Sequence, residues 1–183
     1  MNHSATANEI IEVTQEELSR ASLQKTPQEV LAVFVQPSYD LNPEVIKSSL
    51  CLALDDVQDP GNLGTIIRLA DWFGIEHIFC STGTADVYNP KPEQATMGAL
   101  ARVKVHYCSL PQLIESLTDI PVYGTFLNGN IIYTESLSAH GLIVMGNEGK
   151  GVSLEVEKLI NNKLYIPNYP QERETSESLN VAI

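Results

Sequence analysis

Polar residues that can do chemistry follow short apolar runs at four places in this sequence. The four segments are Leu54–Gly74, Thr125–Asn130, Gly146–Gly151 and Ile166–Asn180. Short apolar runs that end in Gly or Pro are typical of buried strands in a parallel sheet, and ligands bind such sheets beyond the carboxyl ends of the strands. The runs Leu142–Met145 and Leu164–Ile166 are the clearest examples. We expect them to be neighbouring strands whose ends build one pocket.

The first segment reads LDDVQDPGNLGTIIRLADWFG and contains an amide and a guanidinium. Pro60-Gly61 breaks the chain after a strand, and Asn62 can cap the helix that follows, so Asn62 and nearby backbone amides point toward a ligand there. Arg68 lies farther along the same helix, and a guanidinium must find an anion or carbonyl oxygens. Two readings stay open, a functional anion or a structural ion pair with Asp55, Asp56 or Asp59.

Those three aspartates resemble carboxylate motifs that hold Mg²⁺ on a helix. Here a strand and a Pro-Gly turn replace the helix, so the carboxylates do not line up on one face, and we interpret them as solvated loop side chains. The histidines and cysteines also lack metal-ligand spacing. His106 and Cys108 share one face of a predicted strand, where a core or edge role is favoured over zinc. The sequence therefore predicts no metal site.

The segment GNEGKG at Gly146–Gly151 contains one carboxylate, Glu148. It is neither a Walker A loop nor a GxGxxG motif, because the glycine spacing fits neither pattern. It offers a glycine-lined backbone turn that lets a flat ligand approach closely. The alternative is a plain tight turn, although Glu is not a turn-favoured residue.

The other two segments carry weaker signals. TFLNGN at Thr125–Asn130 is a strand end with a turn, which can add backbone contacts. Ser178-Leu179-Asn180 places a hydroxyl and an amide just before a new apolar run, Val181–Ile183. Taken alone, Ser178 is read as an ordinary N-cap of a helix.

The elements that must position these segments alternate between strand and helix from about Leu50 onward. This alternation predicts an α/β fold with a mostly parallel sheet and helices on both faces. The predicted strands are Cys51–Val57, His77–Cys80, Val103–Tyr107, Val122–Phe126, Leu142–Met145 and Leu164–Ile166. The predicted helices are Asn62–Phe73, Pro92–Ala101, Leu110–Leu117 and Leu154–Asn161.

The first forty residues are organised differently. Thr14 followed by Glu17 is a capping-box pattern that predicts a short helix through about Ser22. Val30–Val35 is predicted to be a strand, and Pro37–Ser49 has the Pro, Ser and Asn content of a linker. We expect a domain boundary near residue 40.

Composition limits the class of protein. A chain of 183 residues, 43% apolar and without a long apolar run, is typical of one soluble globular domain plus a fragment of another. The sequence therefore predicts no membrane span and no secretory signal. Its three cysteines, Cys51, Cys80 and Cys108, are widely spaced and odd in number, which indicates buried thiols in a reducing cytoplasm.

The charge is a separate constraint, because 11 basic residues stand against 23 acidic ones and the net charge is −12. A protein that docks on nucleic acid by itself is expected to carry a basic face. Either the partner is not nucleic acid, or most of the docking surface lies elsewhere.

Three of the segments together resemble a known family. NLGTIIRLADWFG, IVMGNEGKG and IP...ESLNVAI, in this order, are similar to the three motifs of the SpoU (TrmH-like) branch of the SPOUT RNA methyltransferases. The resemblance implies an α/β domain at 41–183 with a C-terminal trefoil knot. It also implies a cytoplasmic homodimer that uses S-adenosylmethionine, without a metal, to methylate a ribose 2′-hydroxyl of structured ribosomal or transfer RNA. TPQEVLAVF resembles the end of the family's L30-like RNA-binding domain, so residues 1–40 are expected to be a remnant of that domain plus a linker.

The resemblance also assigns roles to individual residues. Its catalytic positions are Asn62, Arg68, Glu148, Ser178 and Asn180. Its cofactor-binding positions are Thr125, Leu127, Gly146, Gly149, Ile166 and Leu179. Arg68 either stabilises the developing alkoxide and the adjacent phosphate or acts as the base, and the first role is favoured because arginine is so hard to deprotonate.

Two departures from the family pattern bear on these expectations. The loop Asn168–Glu177 is longer than usual, and the chain stops at Ile183, where the family continues into a helix that completes the knot. We therefore expect a domain truncated at its C-terminal helix. The alternatives are a catalytically inactive RNA-binding or scaffold member of the same fold, and a doubly wound nucleotide- or flavin-binding protein. The latter would lack its phosphate loop.

Overall fold

A computed structural model describes residues 8–24, 26–170 and 181–182 of the chain. The chain divides into two compact units, Met1–Ser38 and Tyr39–Ile183. None of the helices in the described ranges has the length and apolarity needed to cross a bilayer.

Among its described residues, the first unit contains one helix, α1 (Gln15–Ala21). The predicted capping box is confirmed, since the Thr14 hydroxyl accepts from the Glu17 backbone N–H at 3.3 Å and the Glu17 carboxylate accepts from the Thr14 N–H at 2.9 Å. The predicted strand Val30–Val35 is wrong. No strand lies beside it in the described part of the chain to complete a hydrogen-bonded ladder, and Val33 and Val35 are exposed.

The second unit alternates strands with helices. Its strands are β1 (Leu50–Leu54), β2 (His77–Cys80), β3 (Lys104–Tyr107), β4 (Val122–Ile131), β5 (Gly141–Met145) and β6 (Asn162–Tyr165). Its α-helices are α2 (Pro60–Trp72), α3 (Pro90–Thr96), α4 (Leu110–Glu115) and α5 (Leu154–Glu157). Short 3₁₀ helices occur at Pro43–Lys47, Ala99–Ala101 and Ile132–Thr134.

All the pairings between these six strands are parallel, in the order β3-β2-β1-β5-β4-β6. Side chains on β1 alternate between two buried layers, as a strand with both faces covered requires. Cys51 and Ala53 pack with residues of α4 and α5, whereas Leu52 and Leu54 pack with residues of α2. The predicted α/β fold with helices on both faces is confirmed. The predicted knot depends on residues after 170, most of which lie outside the described residues.

Several predicted boundaries are wrong for local reasons. β1 ends at Leu54, and Asp56 already has a positive φ of 60°. The helix predicted over Pro92–Ala101 stops at Thr96 because Gly98, with φ of 85°, turns the chain before a 3₁₀ segment. The helix predicted over Leu154–Asn161 is only the short α5.

The strands β5 and β6 are not neighbours, contrary to the sequence prediction, because β4 lies between them. The order of the strands reverses beside β1, which has β2 on one side and β5 on the other. Such a reversal leaves a crevice at the carboxyl edge of a parallel sheet, where ligands bind. The loops that follow β1 and β5 meet at this crevice.

Candidate active site

The loops after β1 and β5 are joined directly by their backbones. The Asp55 N–H donates to the Met145 carbonyl at 2.8 Å, so the two loops leave the sheet side by side. The loop after β1 runs from Asp55 to Asp59 and then enters α2, and the loop after β5 runs from Gly146 to Ser153 and then enters α5.

The loop after β5 is closed into a turn around Asn147. The Asn147 and Gly151 backbones exchange two hydrogen bonds of 2.9 Å, and the Asn147 side-chain oxygen accepts from the N–H groups of Gly149 at 2.9 Å and Lys150 at 3.0 Å. A Cβ added to Gly146 would overlap the Gly151 backbone, and Gly151 itself has φ of 71°. Glycine is therefore required at both ends of the turn.

Two side chains fasten this turn to the loop after β1. The Asn147 side-chain amide donates to the Asp56 carbonyl at 2.8 Å, and the Asp55 carboxylate accepts from the Ser153 N–H at 2.7 Å. Ser153 in turn caps α5 through its hydroxyl. Asp55 is only 6% exposed, so its interpretation as a solvated loop side chain is wrong. A buried carboxylate needs such a partner, and the Ser153 N–H is one.

Glu148 lies in the turn and reaches across to the start of α2. Its carboxylate accepts from the Asn62 side-chain amide at 3.1 Å, the Asp59 N–H at 3.1 Å and the Gln58 N–H at 3.3 Å. Burial raises the pKa of the Glu148 carboxyl, but these hydrogen bonds and one from its own backbone outweigh that effect, and the net pKa lies below its ordinary value. The site thus holds a fixed carboxylate at a helix N-terminus, where negative charge is stabilised.

Asn62 is not the cap of α2, contrary to the sequence prediction. Asp59 is the N-cap, and its carboxylate accepts from the Asn62 backbone N–H at 2.8 Å, while Pro60 begins the helix. This arrangement leaves the side-chain amide of Asn62 available for Glu148. Two of the predicted catalytic residues are therefore in direct contact.

Arg68 lies on the solvent side of α2 and is not brought to Glu148. Arg68 lies six positions after Asn62, which corresponds to about 9 Å along a helix axis. Within the described ranges it forms no ion pair with Asp55, Asp56 or Asp59, so that alternative is not realised. Its neighbours on the helix include the exposed apolar side chains of Leu69 and Trp72.

Four of the predicted cofactor positions that the structure describes lie on, or directly after, three adjacent strands. Gly146 follows β5, Thr125 and Leu127 lie in β4, and Ile166 follows β6. The pairing of β4 with β6 is interrupted between Thr125 and Asn130, and the Leu127 side chain is 83% exposed at this interruption. Exposed apolar side chains and glycine-lined backbone at one sheet edge are chemically suited to a flat, partly apolar ligand.

Gly149 is also described and lies exposed in the Asn147 turn. Ser178, Leu179 and Asn180 lie outside the described residues. Among the described residues, no group of three or more His, Cys, Asp and Glu side chains is placed to hold a metal ion. His106, considered above as a core or metal residue, is buried and lies 3.1 Å from His77, ring nitrogen to ring nitrogen.

The sequence reasoning missed the residues that build the site around Glu148. Gln58 contacts Glu148 through its backbone N–H, which every residue type except proline supplies, so no signal for that contact was present. Asp59 directly before a proline is typical of an N-cap and could have been identified. Asn147 two residues before a glycine is typical of an Asx turn and could also have been recognised.

Comparison with known proteins places the chain in a family. The family model described as the SpoU rRNA Methylase family matches residues 49–183. The 23S rRNA guanosine 2′-O-methyltransferase RlmP of Bacillus subtilis is 34% identical over 174 residues, which cover 93% of this chain and 67% of that protein.

Solved structures are similar as well. The AdoMet-bound rRNA methyltransferase of Sinorhizobium meliloti superposes with a TM-score of 0.79 at 30% identity, over 92% of this chain and 65% of that one. The SpoU methyltransferase AviRb of Streptomyces viridochromogenes, in complex with AdoMet, gives a TM-score of 0.64 at 27% identity, over 73% of this chain and 55% of that one. The chain spans about two thirds of the length of the Bacillus and Sinorhizobium proteins.

Proposed function

Because this chain belongs to the SpoU rRNA methylase family, we propose that it transfers the methyl group of S-adenosylmethionine to a ribose 2′-hydroxyl of RNA. The observation that carries this proposal is the contact between Glu148 and Asn62, which joins two of the family motifs in one site. The AdoMet-bound relatives of the same fold support the choice of methyl donor.

The cofactor is assigned to the carboxyl edge of β5, β4 and β6. Thr125, Leu127, Gly146, Gly149, Ile166 and Leu179 are its proposed contacts. The exposed Leu127 and Ile166 supply apolar surface for the adenine faces, and backbone N–H and C=O groups at the strand ends can bond its edge. When bound, S-adenosylmethionine supplies an activated methyl group on a sulfonium. No phosphate-binding loop is needed for such a ligand.

The ribose hydroxyl is a poor nucleophile and must lose its proton as the methyl group transfers. Holding the hydroxyl close to the methyl carbon contributes on the order of 7 kcal/mol to such a reaction. Asn62, Glu148, Ser178 and Asn180 are assigned to orienting the ribose, and Glu148 is already held in place by three donors. Arg68 is assigned to stabilising the developing alkoxide and the neighbouring phosphate, since its exposed guanidinium is free of the nearby aspartates.

Homodimerisation is part of the proposal. Leu69 and Trp72, on the same helix as Arg68, and Phe73, directly after that helix, are exposed, and Trp72 is 83% exposed. A second copy that covers this apolar surface would also place Arg68 at an interface rather than in open solvent.

The substrate proposed is ribosomal RNA, with transfer RNA as the alternative. Because the net charge is −12, we assign much of the RNA-docking surface to a second subunit or to an RNA-binding domain, and residues 1–40 are assigned to the end of an L30-like domain. Cys51, Cys80 and Cys108 are free thiols, which supports work in the reducing cytoplasm.

Calorimetry tests the proposal against the two alternatives. The protein is titrated with S-adenosylmethionine, ATP and FMN, and binding of the first alone is expected. Preference for ATP or FMN would favour a nucleotide- or flavin-binding protein. Binding of S-adenosylmethionine without methyl transfer to any ribosomal or transfer RNA would favour an inactive RNA-binding or scaffold protein.

A further inference from the structure

We infer that Asn147 is a positioning residue for the methyl transfer, which holds the turn that presents Glu148 against the loop after β1. This inference rests on the proposed function insofar as Glu148 orients the reacting ribose. Asn147 itself is not expected to touch RNA or S-adenosylmethionine.

The Asn147 side chain uses both ends of its amide. Its oxygen accepts from the N–H groups of Gly149 and Lys150, at 2.9 and 3.0 Å, which closes the turn on the far side of Glu148. Its nitrogen donates to the Asp56 carbonyl at 2.8 Å, which joins the turn to the other loop. With these three bonds, one half-buried side chain both shapes the turn and docks it.

The docking point is close to the donors that hold Glu148. Asp56 is followed two and three residues later by Gln58 and Asp59, whose N–H groups donate to the Glu148 carboxylate. Asn147 and Glu148 are adjacent, so consecutive side chains contact the same short loop, one as donor and the other as acceptor. Loss of the Asn147 bond would leave the turn itself held against the other loop only by the Glu148 contacts, while the Asp55–Ser153 hydrogen bond still joins the two loops farther along.

The chain offers a matched control in Asn161. Its side chain makes the same kind of paired contact, accepting from the Val122 N–H at 2.8 Å and donating to the Ile120 carbonyl at 3.0 Å. These contacts lie where β4 and β6 begin, at the opposite edge of the sheet from Glu148. Asn161→Ala therefore removes a comparable pair of side-chain hydrogen bonds to the backbone, at a distance from the proposed site.

The test compares Asn147→Ala, Asn147→Ser and Asn161→Ala in the whole chain. Serine can still accept from the Gly149 N–H but is too short to reach the Asp56 carbonyl, so it separates turn shape from docking. Each variant is measured for thermal unfolding, for kcat and KM with S-adenosylmethionine and RNA, and for the pKa of Glu148 by NMR titration.

Asn147→Ala is expected to lower kcat on the order of 100-fold with a smaller change in KM, as misplacement of a positioning group by about 1 Å can do. The Glu148 pKa is expected to rise toward its ordinary value in both Asn147 variants and to stay unchanged in Asn161→Ala. If Asn147→Ala fails to fold, the kcat and the Glu148 pKa of Asn147→Ser test the inference instead.

A folded Asn147 variant with wild-type kcat and wild-type Glu148 pKa would overturn the inference, as would an equal loss of kcat in Asn161→Ala. If the wild-type chain transfers no methyl group, the proposed function fails. The NMR titration still decides in that case whether Asn147 positions Glu148.

Discussion

The Asn62 side-chain amide donates a hydrogen bond to the Glu148 carboxylate across 3.1 Å, although 86 positions separate the two residues in the chain. The contact joins the first turn of α2 to the turn after β5, at the point where the strand order of the sheet reverses. The proposed role of Glu148 in methyl transfer depends on this contact.

Glu148→Gln tests the carboxylate directly. The substitution keeps the shape but places an amide against three donors, so we expect methyl transfer to fall about 10- to 100-fold. Stability should fall by less than about 1.5 kcal/mol, because the side chain is half-exposed and its interactions are screened by solvent. Initial rates and thermal unfolding check both values. Glu155→Gln, at an exposed position at the start of α5, is the control and should behave as wild type.

Arg68→Ala tests the electrostatic role. Removing one preorganised donor to a developing alkoxide costs about 10²- to 10³-fold in comparable sites, so transfer should be abolished within the sensitivity of most assays. Affinity for S-adenosylmethionine should be nearly intact. Arg102→Ala is the matched control, since Arg102 forms a surface ion pair with Asp71 near the other end of α2. A near-normal rate in Arg68→Ala would remove Arg68 from the mechanism.

Gly146→Ala tests the closure of the turn after β5. The new Cβ would overlap the Gly151 backbone, which cannot move aside as a flexible side chain can, so we expect a loss of several kcal/mol in stability. Affinity for S-adenosylmethionine should fall with it. Gly149→Ala is the control for stability alone. The new Cβ at position 149 would lie 3.7 Å from its nearest neighbour, the Asn147 side-chain oxygen, which is an ordinary contact distance. Equal unfolding temperatures in the two variants would contradict the structure.

The stacked pair His77 and His106 predicts a pH dependence of stability. Burial is the main cause that lowers the pKa of both rings. At His77 the positive charge of Lys104 lowers the pKa further, and Glu76 opposes this shift. At His106 the pKa is lowered further by His77 and by Lys104. A histidine whose pKa is lower in the folded protein than in the unfolded chain binds fewer protons in the folded state. The pair therefore makes its full contribution to the free energy of unfolding above the ordinary pKa of 6.5, and this contribution is lost as the pH falls through the folded pKa.

Denaturant unfolding between pH 7.5 and about pH 5 checks this prediction, with His77→Asn beside the wild type. The free energy of unfolding should fall toward acid in the wild type, and more shallowly in the variant. His140→Asn is the histidine control, since His140 pairs with Ser138 rather than with another histidine. An identical slope in wild type and His77→Asn would show that the pair does not titrate as described.

The alternation of strands and helices was predictable, because apolar runs of the right length separate amphipathic ones throughout residues 50–166. The strand order was not. β5 lies between β1 and β4 in the sheet. Periodicity identifies a segment as a strand but does not say which strands it pairs with. The sequence therefore placed β5 and β6 side by side, whereas β4 separates them.

The candidate site was predictable where side-chain type carries the signal. A lone carboxylate in a glycine-rich turn identified Glu148, and an amide after Pro-Gly identified Asn62, although its assignment as a cap was wrong. Asp55 was interpreted as solvated because the burial of a loop carboxylate depends on its tertiary partner, here the Ser153 N–H. The hydrogen bonds from the Gln58 and Asp59 backbone N–H groups to Glu148 could not be predicted from residue types, because they do not depend on the side chain.

Methyl transfer to a ribose of ribosomal RNA can be measured directly. The protein is incubated with S-adenosylmethionine carrying a labelled methyl group and with unmodified ribosomal RNA, and the labelled nucleoside is identified by mass spectrometry. We predict a single 2′-O-methylated nucleoside, whose formation is lost in Glu148→Gln or Arg68→Ala. Label on a base, or no label in any ribosomal or transfer RNA, would contradict the account.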